Sequence, residues 1–126
     1  MKSLLFCLLL FCILVGLCVF STIRITEIVV ETERLLNQAI VFHHAGNRID
    51  ATKCVNQASF CWEQHEDLFG MLIRHDAIDE VTTEFAGLKA YANSVDDDDF
   101  FSASAKLVSS LHHVRDMEWP FFRNIF

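Results

Sequence analysis

Hydrophobic positions divide the chain into one unbroken apolar run and a series of amphipathic stretches with helical spacing. From Leu4 to Ile23 no residue is charged and nearly all are apolar. A helix of that length rises far enough, at 1.5 Å per residue, to cross ~30 Å of hydrocarbon. Ile25 to Ala45 follows without a breaker, with Ile28, Leu35, Ala39 and Phe42 on one face and Val29, Leu36 and Ile40 beside it. The membrane-type run is therefore expected to continue directly into this amphipathic helix. Gly46-Asn47 ends it, glycine serving as a left-handed cap and Asn47 or Asp50 as the next N-cap.

A second helix begins near Arg48 and carries Val55, Trp62 and Phe69. Counting ~100° per residue, Ala58, Trp62, His65, Phe69, Leu72 and Asp76 share one face. Ile78, Val81, Phe85, Leu88 and Ala92 form a second ladder, rotated by roughly 120–160° from the first. The face changes inside Leu72-Ile73-Arg74-His75-Asp76-Ala77-Ile78-Asp79-Glu80, a stretch dense in ionisable residues. This predicts a bend or break within Gly70–Ile78. It also places Arg74 and Asp76 partly in a core, each reaching a neighbouring helix rather than the other, because buried charges need partners. On that reading Asp76→Asn costs about 3–5 kcal/mol.

Ile78 to Val95 reads as a third helical segment, ended by Asn93-Ser94 and the run Asp96-Asp97-Asp98-Asp99. The four aspartates lack the alternating acids and central glycine of an EF-hand. They read as a solvated loop whose last member caps the next helix. That helix runs from Phe100 to about Asp116 with Ser104, Leu107, Leu111 and Val114 inward, and Trp119-Pro120-Phe121-Phe122 ends it. The final Ile125-Phe126 is expected to pack back on the bundle or lie at a membrane interface. With one Pro, four Gly and no alternating apolar runs, strands are not expected. The fold class is all-α: an N-terminal transmembrane helix followed by a small up-down bundle of three to four helices.

Trp62, the run Ile73-Arg74-His75-Asp76, Ile78-Asp79 and the closing Asn124-Ile125 resemble domain of unknown function 4363, a family of small bacterial proteins. The resemblance implies a short chain with one N-terminal membrane segment and an otherwise helical body. It implies no activity.

Composition sharpens the address. Residues 1–24 read as a membrane anchor and 25–126 as an extracytoplasmic helical domain. Lys2 precedes the apolar run and Arg24 directly follows it, a weak bias; the free amino terminus adds to the first side while Glu27, Glu31 and Glu33 crowd the second, which predicts a cytoplasmic N-terminus in a single-pass cell-membrane protein. A cleaved signal peptide is the competing reading, with Val19-Phe20-Ser21 as a tolerable cleavage site. The apolar core exceeds the ~7–15 residues usual for such signals, which favours a retained anchor. Leu17 stands where a lipoprotein would place a small residue before Cys18.

Without residues 1–23, the remainder carries nine Lys and Arg against seventeen Asp and Glu, a net charge of −8. Such a surface disfavours nucleic acid and anionic lipid. Of five cysteines, three lie in the anchor. Cys54 and Cys61 are seven apart, about 10 Å along a helix, too far for a mutual disulfide.

Candidate chemistry is sparse. His75 and Asp79, four apart, form half of an acid/base pair, but no nucleophile motif and no phosphate-cradling glycine loop accompanies them. The chain therefore reads as no enzyme, and no cofactor is implied. A bundle would bring the membrane-proximal His75, Asp76 and Asp79 towards His112 or His113, so that His75, Asp79 and His112 could offer a metal site. His-Glu-x-x-His and Glu-x-x-His patterns are both absent. Trp62 reads as core. The first expectation is a non-enzymatic accessory protein that binds another membrane protein. The alternative is a metal- or small-ligand-binding sensor using the Arg74-His75-Asp76-x-x-Asp79 neighbourhood. Self-association through the anchor is a weaker third, since that run holds only Gly16.

Overall fold

The structure is a computed structural model that describes residues 1–94 and 96–116, without the Leu72 side chain. The described residues form five helices and no strand. They are α1 (Lys2–His44), α2 (Arg48–Glu63), α3 (Glu66–Leu72), α4 (His75–Ala92) and α5 (Asp97–Asp116).

With 43 residues, α1 is ~64 Å long at 1.5 Å per residue. Its apolar N-terminal window is long and apolar enough to cross a membrane, and none of it is buried. Burial begins at Ile25 and continues through Ile28, Val29, Thr32, Leu36, Ala39 and His43. This stripe is turned slightly from the expected one. Leu35, Ile40 and Phe42 become half-buried flanks, and two polar residues take places in the seam. The Thr32 hydroxyl is tolerated there because it donates to the Ile28 carbonyl one turn back, at 2.8 Å.

Gly46, at φ 82°, supplies the left-handed residue that ends α1. Asn47 caps α2 by accepting from the Asp50 N–H. The chain then descends antiparallel to α1. From α2 the core receives Ala51, Cys54, Val55, Ala58, Ser59 and Trp62. The helix stops at Glu63, a break the apolar spacing did not announce. There His65 Nδ1 donates to the Cys61 carbonyl at 2.8 Å, satisfying one acceptor that the lost next turn would have used. The short α3 carries Phe69 back against Trp62, ring centroids 4.4 Å apart.

A second break falls where the change of apolar face predicts it. Ile73 and Arg74 are extended (ψ 156° and 138°), and α4 starts at His75. Two extended residues re-aim the chain so that Ile78, Val81, Phe85, Leu88 and Ala92 face the core that Trp62 and Phe69 already fill. In the next connection the aspartates differ from expectation. Asp96, the first of the run, accepts from the Asp98 N–H at 3.0 Å, and Asp97, Asp98 and Asp99 form the first turn of α5. The helix therefore begins three residues early, since carboxylates are favoured at the positive N-terminal end.

The bundle closes as a ring: α1 packs on α2 and α5, and α4 packs on α2 and α5. Thr52 meets Asn93 at one end, and Glu66 meets Thr82 towards the other, so α2 and α4 are antiparallel. His43 meets Asp97 and Glu33 meets His112, so α1 and α5 are antiparallel too. This is a four-helix up-down arrangement with α3 as an appended turn.

Candidate functional site

The charged stretch lies on the surface. Arg74 and Asp76 side chains are 76% and 66% exposed, and they pair with each other at 3.0 Å. Both the expected burial and the expected separation are thus corrected. A two-residue spacing forbids pairing within a helix, but Arg74 is extended and Asp76 sits in the first helical turn, so the guanidinium can fold back. Asp76 also accepts from the Ala77 N–H at 3.1 Å and complements the start of α4. His75 and Asp79 are exposed and form no hydrogen bond with each other. Ile78 is buried in the core, as are Ile73 and Ala77. Trp62 is buried, its indole N–H without an acceptor among the described residues. Asn124 and Ile125, and the expected packing of the aromatic tail, lie outside the described residues.

No three His, Cys, Asp or Glu side chains among the described residues gather as a metal site. His112 instead holds Glu33 at 2.8 Å, which ties α5 to α1. Cys54 and Cys61 are free thiols, and burial pushes the Cys54 thiol up.

Three polar contacts of α5 escaped the sequence reading. His43 is 2% exposed, and its Nδ1 meets the Asp97 carboxylate at 2.5 Å. Its ring lies on Phe100, while its Nε2 is buried and has no partner among the described residues. The Glu33–His112 pair lies further down the same interface. Between α4 and α5 stands Glu84, whose side chain is only 7% exposed. Both of its carboxylate oxygens are buried, with no hydrogen-bond partner among the described residues. Lys106 approaches to 3.9 Å but remains 72% exposed. Burial raises the Glu84 pKa above the usual 4.5; Ser110 and Lys106 oppose that shift and Glu80 adds to it. A signal for these positions exists in the helical phase: His43 follows Ala39 in the buried stripe, and Glu84 adjoins Val81, Phe85 and Leu88. Both are ionisable residues on or beside an apolar seam.

Glu84 lines a groove of about 360 Å³ between α4 and α5 together with Gly87, Tyr91, Asp99, Ser102 and Lys106. A larger groove of about 660 Å³ lies along one face of α1 beside Val30, Arg34 and Val41.

The family model described as domain of unknown function (DUF4363) covers residues 19–125. The match spans most of the chain, which therefore belongs to this family. No curated protein and no solved structure matches it.

Proposed function

We propose that this DUF4363 member is a non-enzymatic accessory protein, held in the cell membrane by the first part of α1 and binding another membrane protein outside the cytoplasm. The observation that carries this reading is the apolar N-terminal window of α1. It is wholly exposed and yet continuous, through an unbroken helix, with the packed bundle. So much apolar surface needs a non-aqueous environment. A rigid helix entering the bundle would hold the domain at a fixed height and orientation over the bilayer, as suits a protein that contacts a neighbour. Lys2 and the free amino terminus before the apolar window, against an Arg24 paired with Glu27 after it, support an outward-facing domain. The sensor alternative has lost its strongest support, because His75 and Asp79 stand in solvent while His112 is engaged by Glu33.

The test uses the full chain with a C-terminal tag in a bacterial host. Membranes are washed with alkaline carbonate, then treated with protease from the outside and with a crosslinker. The expected result is an intact chain retained by washed membranes, a protease-accessible bundle and a discrete crosslinked species of constant stoichiometry. A soluble chain shortened near Ser21, or a bundle protected from external protease, would overturn the anchored, outward reading. Retention without any crosslinked species would overturn the accessory role.

A further inference from the structure

We propose that the turn at residues 70–75 lies in the headgroup layer of the bilayer that α1 crosses, with the Met71 side chain entering the edge of the hydrocarbon. The inference rests on the anchored part of the accessory reading and adds a second membrane contact to it.

Contacts between helices fix the height of this turn. Thr32 of α1 meets Cys61 of α2 at 3.7 Å, and Thr52 of α2 meets Asn93 at 3.3 Å. Because α1 and α2 are antiparallel, Thr52 and Asn93 stand level with Val41. From Asn93 the 18 residues of α4 lead back to His75, a drop of ~27 Å at 1.5 Å per residue. The same drop of ~27 Å along α1 leads from Val41 to Ile23, the last residue of the uncharged run. Gly70 lies beside His75, since a Cβ built on it would stand 4.0 Å from the imidazole Cε1. Met71 therefore sits at the height where the apolar run of α1 gives way to charged residues.

The side chains at that height suit a headgroup layer. Phe69 and Ile73 are buried, whereas Met71 between them is 83% exposed. A single exposed apolar side chain is ordinary on a protein surface. Met71 is set apart by its level with Ile23, itself 52% exposed. Its unbranched thioether adapts to disordered acyl chains as it does to irregular cores. Arg74 is 76% exposed beside it, and Arg24 follows Ile23 on α1. Guanidinium groups there can exchange a solvated carboxylate for a lipid phosphate, which accepts charge-assisted hydrogen bonds. The densest acidic run, residues 96–99, lies at the opposite end, where Asp97 meets His43. Its charge is thus kept away from the headgroup phosphates. α1 alone leaves the bundle free to turn about the helix axis. A second contact at Met71 stops that rotation and fixes which face the bundle shows to a neighbour.

The experiment places the full chain in phosphatidylcholine nanodiscs with isotope-labelled Met and Ile methyl groups. Two paramagnetic probes are compared by NMR: a lipid carrying a nitroxide near its headgroup, and a water-soluble gadolinium chelate. Ile13, inside the apolar run, marks lipid, and Ile49, 78% exposed at the far end of the bundle, marks water. The Met71 methyl should lose intensity with the nitroxide lipid and be shielded from gadolinium relative to Ile49. Met71→Asp should remove the nitroxide effect at the Gly70 and Arg74 amides, and Met71→Leu should keep it; at so exposed a position both variants retain the fold. A Met71 methyl that responds to gadolinium as Ile49 does, while Ile13 stays immersed, would overturn the proposal and leave the anchor standing. Shielding from gadolinium without any loss to the nitroxide lipid would mean that protein covers Met71, which also overturns it. So would amide broadening unchanged in Met71→Asp. An Ile13 methyl open to gadolinium would remove the anchor, and the second contact with it.

Discussion

The imidazole of His43 lies flat on the ring of Phe100, centroids 4.1 Å apart and planes within 5°. The same imidazole meets the Asp97 carboxylate through Nδ1. One side chain thus joins the end of α1 to the start of α5, by stacking and by a polar contact. His43→Ala should remove both and leave a cavity. A loss of about 2–4 kcal/mol is expected, as for other large-to-small changes in a core. Thermal unfolding of the full chain in micelles checks it, with a fall in midpoint on the order of 10 °C or more. Asp97→Asn keeps an acceptor and should cost only about 1 kcal/mol.

Glu84 is raised by burial, so its sign is opposite to that of a paired acid. A carboxyl whose folded pKa lies above the unfolded value adds no penalty at low pH. It destabilises the fold progressively as pH rises from about that unfolded value through the folded one. Glu84→Gln should therefore unfold later than wild type at pH 7–8, by on the order of 1 kcal/mol. The advantage should disappear below the ordinary carboxyl value of 4.5. A paired pH series of melting curves reads this directly; a variant less stable than wild type at neutral pH would contradict it.

Asp76→Asn separates the surface pair from the buried one that the helical phase suggests. Arg74 and Asp76 are both more than half exposed, and exposed pairs contribute little. The lost helix-terminus interaction adds a few tenths of a kcal/mol. Chemical denaturation should show a change of about 1 kcal/mol or less, rather than the 3–5 kcal/mol of a broken buried pair.

Gly46→Ala tests the α1–α2 turn. Nothing crowds a Cβ there, so the expected cost of about 1 kcal/mol comes from the left-handed backbone alone (φ 82°). A comparable Gly87→Ala change, in the regular turns of α4, should stabilise by up to about 1 kcal/mol. Melting both variants beside wild type checks the opposite signs.

Much of the architecture was legible in the chain because it is local or periodic. The uncharged run Leu4–Ile23 required a long apolar helix, and the absence of a breaker after it required that helix to continue. Gly46-Asn47 marked a turn through backbone and cap chemistry alone. The rotation of the apolar face between Leu72 and Ile78 required a change of direction, and Ile73-Arg74 supplies it. What the sequence could not determine was how that direction changes. A smooth bend would have buried Arg74 and Asp76; two extended residues turn them outward, and this follows from where α4 must lie to share the core with Trp62 and Phe69. Nor could it say which ionisable groups end inside. His43, Glu33, His112 and Glu84 become paired or buried only because α5 lies antiparallel between α1 and α4. Helical period is a property of neighbours in the chain. The burial of a charge is a property of what another helix brings against it, and that was decided only when the ring of four helices closed.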